Sequence, residues 1–435
     1  MTVETKLALS VEEVRSFSQN NAEPAAFTDF RVNAMEKAAE LDLPKPDRTN
    51  IKKWNFIDFA NHTVESAPFT SLEELPAEVK SVVDTETQEN LYIQRNNTPA
   101  FVKVSEELKN KGVIFTDIQT AIRDHKDLVE KYFMTTAVKV DEHKLTAYHA
   151  ALVNGGIFVY VPRNVVIEEP LQVVFLNDNA EASLFNHVLI VAEESSAVTY
   201  VETYISTFDE AHGQVNVVTE VIAKDNAQVT FGAVDNLAHG YTAYVNRRGH
   251  AQRDAKIDWA LGLMTNSDTI YENTTNLIGD NSTSDFKMVT VGSGDQKLNF
   301  TTLIRQWGKN SDGQILKHGV MKDKAQSIFN GIGHIMHGGT KANAEQESRV
   351  LMLSEGARGD ANPILLIDED DVTAGHAASV GRVDPTQLYY LMSRGISKQE
   401  AERLVIHGFL APVVAQLPIE GVKKQLTEVI ERKVR

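Results

Sequence analysis

No proline interrupts the chain between Pro170 and Pro363. Proline removes a ladder donor and is confined to strand edges, so a proline-free span of this length fits strands hydrogen-bonded on both sides. From Gly155 to about Ser354 the side chains agree with that reading. Short β-branched and aromatic runs recur roughly every ten to fourteen residues, among them G-I-F-V-Y-V, H-V-L-I-V-A, Q-V-N-V-V-T, K-L-N-F-T-T-L-I and R-V-L-M-L. Phe286, Met288 and Thr290 alternate with polar neighbours, as do Leu298, Phe300, Thr302 and Ile304, which is the period of a half-buried strand. Turn residues separate the runs at Asp225-Asn226, Asn281-Ser282 and Gly292-Ser293-Gly294. About fourteen strands without an intervening helix suit a sandwich, a propeller or a parallel β-helix. Hairpin dipeptides are rare (Asn154-Gly155 and Asn330-Gly331), which disfavours a meander and favours the β-helix. The expected fold class is mainly β.

Helical patterns flank this span. Ser10 to Glu13 is a capping box, with Val14 and Phe17 on one face behind it. Phe27, Phe30, Ala34, Ala38 and Leu41 make an amphipathic stripe that Pro44 and Pro46 end. Trp54 and Phe56 are expected to anchor on the neighbouring unit, Ser71 to Glu74 reads as a second capping box, and Thr116 to Phe133 as a further helix. After Asp384 as N-cap and Pro385 at the first helical position, Leu388, Leu391 and Met392 share a face until Gly395. Ser397 to Glu400 opens a helix carrying Ala401, Leu404, Val405 and Phe409 as far as Pro412, and Ile419 to Ile430 forms the last one. Such short stripes must dock on the β unit or on another protein. Three parts are expected: residues 1–145, mainly helical; 146–383, the strand core; and 384–435, a short helical domain.

Composition narrows the function. Asp and Glu number 60 against 43 Lys and Arg, a net charge of −17, which argues against nucleic acid or an anionic membrane surface and leaves protein partners. The N-terminus lacks the basic start and apolar core of a signal peptide, and no window holds the roughly 18 apolar residues of a membrane helix, so a cytoplasmic location is expected. There is no cysteine. That removes disulfides, thiolate nucleophiles, zinc–thiolate sites and any iron–sulfur cluster held on this chain's own sulfurs.

The best site candidate lies at the junction between strands and C-terminal helices. Ile364 to Ile367 reads as a strand, Asp368 to Asp371 as a run of carboxylates, and the small-residue stretch A-G-H-A-A as a turn presenting His376. An imidazole there can ligate a metal or carry a proton, although a turn histidine more often satisfies nearby backbone. The carboxylates could hold a divalent cation, but successive strand residues face opposite sides and a solvated turn is the plainer reading. His334 and His337 are three apart, which in a strand puts them on opposite faces, and His318 reads as packing or surface. No phosphate-binding loop, dinucleotide fingerprint or nucleophile elbow is present, since G-G-T-K at Gly338 to Lys341 has the wrong order for one.

The stretch from Ile367 to Ile396, I-D-E-D-D-V-T-A-G-H-A-A-S-V-G-R-V-D-P-T-Q-L-Y-Y-L-M-S-R-G-I, resembles the signature of the SufB/SufD family of iron–sulfur cluster assembly scaffolds. Upstream stretches agree: G-I-F-V-Y-V-P-R-N-V-V-I-E-E-P-L-Q from Gly156, H-V-L-I-V-A-E-E from His187, F-N-G at Phe329 to Gly331, and K-K-W-N-F around Trp54. The resemblance spans Pro44 to Gly421, and the absence of cysteine with the helical N-terminal region points to the SufD branch. It implies a right-handed parallel β-helix between helical parts, working in a SufB–SufC–SufD complex in which SufC is the ATPase. It also implies that His376 lies at the interface with SufB, where a nascent cluster forms with a SufB cysteine. Two positions depart from the pattern: Ala374 stands where some relatives carry cysteine, and Ala377 replaces the usual glycine.

The expected function is therefore a non-enzymatic scaffold subunit with a SufB-like scaffold and a SufC-like ATPase as partners. His376 is its metal- and cofactor-binding residue, at a transient iron–sulfur cluster shared with the partner. The isolated chain is expected to bind no cluster stably; flavin binding, cluster type, iron and electron donors and stoichiometry stay open, as does a homodimer of the isolated chain. Histidine replaces cysteine in some clusters, so one imidazole can complete a site whose thiolates come from elsewhere. The rival readings are a β-helix carbohydrate-active enzyme using Asp368, Asp370 and His376, and a purely structural partner subunit.

Overall fold

The computed structural model describes residues 9–58, 61–83, 89–417 and 419–433. Sixteen strands run from Gly155–Val161 to Thr373–Arg382 with no helix between them, and consecutive strands alternate between two sheets. Within each sheet these strands pair in parallel, so Thr283, Asp312, Asn343 and Thr373 stack at equivalent places in successive coils. The result is a parallel β-solenoid of about 8 turns. Asn-Gly hairpins are scarce because the corners turn on single residues in the left-handed region instead. Asn226, Asp254, Asn281 and Asn310 all have φ between 52° and 59°, a region Asn and Asp tolerate better than most residues. The amides of Asn226, Asp254, Asn281 and Asn310 each donate to a carbonyl of the next coil, so the corners stack as the strands do.

Alternation fixes what fills the solenoid. On the ten-stranded sheet one inward row reads Tyr200, Phe231, Trp259, Phe286, Ile315, Gln346 and His376. Its aromatic members stack along the axis, with ring centroids 5.1 Å apart for Tyr200–Phe231 and 5.0 Å for Phe231–Trp259. Tyr271, Phe300 and Phe329 face them in register from the nine-stranded sheet.

The N-terminal helices, Val11–Asn20 and Ala25–Glu40 among them, cover the outer face of the nine-stranded sheet with Trp54 and Phe56 in the same apolar cluster. Ser10 and Glu13 form the expected capping box. Two expectations for this region are corrected. Glu74 is held by the Thr70 amide and hydroxyl at 2.7 Å, and Ser71 makes no side-chain cap. Residues 116–133 are not one helix: strand Ile114–Asp117 leads to Ile118–Asp124 and Lys126–Tyr132, broken at His125, whose φ of −125° and ψ of 39° are not helical. The region also supplies strands. Leu91–Arg95 and Thr98–Lys103 form an antiparallel pair on the edge of the ten-stranded sheet, and Ile114–Asp117 pairs antiparallel with Gly155–Val161, so both sheets end in antiparallel strands here.

The C-terminal helices Lys398–Val414 and Glu420–Lys433 pack on the outer face of the ten-stranded sheet. Two strand glycines make the seat. A Cβ at Gly232 would lie 2.6 Å from Ile419 Cδ1 and 2.7 Å from Val422 Cγ2, and one at Gly262 would overlap Leu426. The first of these helices runs past Pro412 to Val414, where the expected stop at the proline is not made.

Candidate functional site

His376 lies on the last strand, Thr373–Arg382, and not on a turn as its small neighbours suggest. The segment T-A-G-H-A-A-S-V-G-R has little strand propensity. Its extended form comes from the ladder with Asn343–Met352, in which Gln346 is the backbone partner of His376. The strand Arg358–Ile367 ends the nine-stranded sheet in the same way, and among the described residues it pairs only with Gln326–Ile335. Pro363 sits in that edge strand, where a missing ladder donor is tolerated. Both sheets thus end in an open edge, and the end is apolar in part, with Leu366, Ile367 and Val380 between 39% and 43% exposed.

His376 itself is exposed, and among the described residues its ring makes no hydrogen bond or ion pair. With Gly375 and Ala377 its backbone borders a cavity of about 400 Å³ on the outer face of the ten-stranded sheet, where Asp285, Lys287, Gln314, Glu345 and Glu347 alternate with the inward row that holds His376. Lys287 pairs with Asp285, and Glu347 takes Arg349 at 2.6 Å and His318 at 3.4 Å. Two of the three carboxylates on the cavity wall, Asp285 and Glu347, are therefore already ion-paired.

The other sequence candidates separate from His376. Asp368 accepts from His334 Nε2 at 3.1 Å, and Glu369 lies 3.6 Å from His337 Nδ1. The Glu369 carboxylate also accepts the Gly338 and Asp370 amides, and these bonds, that of Gly338 first, lower its pKa below the ordinary carboxylate value. The run is a corner stitched to the corner before it. Neither Asp368 nor Asp370 lines the His376 cavity, so the three residues of the enzyme reading are not brought into one pocket. Among the described residues no group of three or more His, Asp and Glu side chains is arranged to hold a metal ion. His318 is packing: its Nδ1 meets the Phe409 carbonyl at 3.0 Å and its ring stacks on that phenyl. Gln346, Glu345 and Glu347 escaped sequence reasoning because they lie one coil from His376, and only the coil register brings them to it.

At the junction Asp384 caps the helix Pro385–Ser393 through the Thr386 amide, 2.8 Å away. This helix buries no residue; Tyr389 is 72% and Tyr390 57% exposed, with Met392 and Leu404 also exposed nearby in sequence.

Comparison with known proteins agrees with this architecture. Residues 175–409 match the SufBD core domain of the SUF system for iron–sulfur cluster assembly, and residues 17–173 match the SufBD protein N-terminal region. An iron–sulfur cluster assembly protein SufD of Bacillus subtilis (strain 168) is 65% identical, with all of both chains covered. An iron–sulfur cluster assembly SufBD family protein of Staphylococcus haemolyticus is 27% identical over 94% of this chain and 89% of its own. Taken with the solenoid and its helical flanks, these matches place the chain in the SufBD family of iron–sulfur cluster assembly proteins.

Proposed function

We propose that the chain is the SufD-type scaffold subunit of a SufB–SufC–SufD complex, contributing His376 to a nascent cluster shared with a SufB-like partner. The observation that carries this is an exposed imidazole without a partner, on an edge strand at the open end of the solenoid. Unpaired strand edges beside exposed apolar side chains favour addition of another chain's strands. A SufB-like solenoid continuing both sheets would leave His376 facing its thiolates. A neutral imidazole nitrogen is a competent ligand for iron. The cluster is cargo here, and a chain without cysteine holds none stably by itself.

A SufC-like ATPase docks, in this reading, on the exposed apolar residues of the C-terminal helices, Tyr389, Tyr390, Met392 and Leu404. The subunit is non-catalytic and works in the cytoplasm. Among the described residues no helix is long and apolar enough to cross a membrane.

His376→Ala tests the assignment. Folding should change by no more than about 0.5 kcal/mol, as for other exposed truncations. The complex should still form, since an interface sums over many contacts. Activity of cluster-dependent enzymes in a strain relying on the variant should fall sharply, with Asp368→Ala as a mild control. Normal cluster supply would remove the role of His376, and loss of the complex would make that role structural.

A further inference from the structure

The buried face of the last helix, Val422, Leu426, Val429 and Ile430, is interrupted by one polar residue, Gln425. A buried amide is costly unless its groups are hydrogen-bonded, and Gln425 is held at both ends. Its Oε1 accepts from the Thr203 hydroxyl at 2.8 Å, and its Nε2 donates to the Val82 carbonyl at 2.7 Å. Thr203 lies on the strand Ala197–Ser206 of the ten-stranded sheet, and Val82 ends the short helix Ala77–Val82. One side chain thus fastens the sheet, the C-terminal part and the N-terminal part at a single point.

Residues 75–83 form a strap over the outer face of the ten-stranded sheet. Leu75, Val79 and Val82 cover Ile93, Val174 and Leu176 in one apolar cluster. A helix of this length does not stand alone, and its last carbonyls have no partner within the helix. Among the described residues, the hydrogen bonds that tie the strap to the strands and to the C-terminal helices both end on the Val82 carbonyl. Gln172 Nε2 donates to it at 2.7 Å from the strand Leu171–Asn177, and Gln425 Nε2 donates to it from the last helix. One hold therefore belongs to a strand of the sheet and the other to a docked helix. That helix is tied in turn to Lys398–Val414, where Arg403 pairs with Glu431 at 2.6 Å, so a pull on either C-terminal helix reaches Gln425.

We propose that Gln425 is a latch by which the last helix holds the strap 75–83 shut. With the helix seated, the strap covers the apolar strip beneath it. With the helix lifted, Val82 keeps Gln172 alone, and the strap opens more often and uncovers Ile93, Val174 and Leu176. Thr203 orients the latch, because its hydroxyl fixes which end of the Gln425 amide faces Val82. Coupling of this kind is reciprocal, so whatever binds the uncovered strip favours the lifted helix by the same factor. The latch does not depend on which protein docks on the C-terminal helices.

Amide hydrogen exchange in the full chain tests it, because it reads local opening segment by segment. Lys80 and Val83, whose amides donate to the Pro76 and Val79 carbonyls, report on the strap. Gln425→Met keeps side-chain length and helix propensity and removes the latch. Exchange at 80–83 should quicken about fivefold, the worth of one net hydrogen bond, while the strands near Trp259 keep their rates. Thr203→Val should act in the same direction and covers the case in which Gln425→Met does not fold. Gly262→Leu, which fills the seat of Leu426, should lift the last helix and quicken both segments, and adding Gln425→Met to it should quicken 80–83 no further. Wild-type exchange at 80–83 in Gln425→Met, or in Thr203→Val where the first does not fold, overturns the latch. So does a Gly262→Leu variant in which residues 420–433 exchange fast and 80–83 do not, since the helix then lifts without the strap.

Discussion

Replacing Gly262 by alanine should loosen the last helix from the solenoid. The added methyl would overlap Leu426 Cδ2 and sit 2.8 Å from its Cγ, where unstrained carbon contacts lie near 3.5–4.0 Å. Either the side chain leaves its rotamer or helix Glu420–Lys433 moves outward, which costs about 1–3 kcal/mol for overpacking of this kind. Leu426→Ala alone removes a fully buried side chain and should cost about 2–5 kcal/mol. In the double variant the new methyl enters the space the leucine vacates. The two costs should then fail to add, with a coupling of about 1–3 kcal/mol and a double variant no worse than Leu426→Ala. Native-state hydrogen exchange of the 420–433 amides is the assay, because it reads local opening separately from unfolding of the solenoid. A loss of about 2 kcal/mol would speed exchange there about 30-fold, with little change in the strands near Trp259. Additive costs, or a Gly262→Ala variant exchanging like wild type, would refute the knob-in-hollow account of how this helix is held.

Two further outcomes are expected. Acidification below about pH 6.5 should lower the melting temperature: burial depresses His62 and His143 to about 4 and His187 to about 3, and His149 well below its usual value. The unfolded chain then binds protons that the fold refuses, at about 1.4 kcal/mol per pH unit and group. Glu202 and Glu220, raised to about 7 by burial, oppose this by gaining stability as pH falls toward 4.5. Asp258, Asp268 and Glu272 are raised by burial as well and His250 is lowered, by smaller amounts; between pH 6.5 and 5.5 the strongly depressed histidines outweigh Glu202 and Glu220, so a midpoint flat or rising over that range would count against the burial argument. Replacing Tyr389 and Tyr390 together by alanine should abolish co-purification of the ATPase partner at unchanged thermal stability, since the helix carrying them buries nothing; retention of the ATPase would move its docking site elsewhere.

Much of this fold is written in local chemistry. The Ser10–Glu13 box, the Asp384-Pro385 helix start and the alternating strands of the core all depend on neighbours a few residues apart, and they read correctly from the chain. What escaped depends on register. The strand holding His376 has no β-branched pattern because its outer edge and much of its surface pack against nothing; its shape is copied from the coil before it. The sequence leaves open whether the stripe carrying Leu426 docks on the β unit or on another protein, because the hollows that seat the C-terminal helix are glycines on distant strands, at Gly232 and Gly262. The apolar surface that the C-terminal helices leave exposed is correspondingly smaller than their stripes suggest, and includes Tyr389, Tyr390, Met392 and Leu404.

The two ends of the solenoid are treated differently, and that difference gives the His376 row its meaning. Stacked coils bury each other's faces, and terminal coils need a cap or a partner. At the N-terminal end the parallel stacking stops, and the sheets finish in antiparallel strands, Thr98–Lys103 on Leu91–Arg95 and Ile114–Asp117 on Gly155–Val161. At the other end neither edge is paired among the described residues, and exposed Leu366, Ile367 and Val380 would favour edge-to-edge association. Along the inward row the residues pass from Tyr200, Phe231, Trp259, Phe286 and Ile315 to Gln346 and His376. An apolar side chain in the final place would stabilise any protein that covered the end, by about 25 cal/mol per Å² of surface removed from water. An imidazole there forfeits part of that gain and, once covered, must find a partner of its own. A row that continues apolar through the core and turns polar over its last two coils is suited to a covering partner that brings something for the histidine to bind.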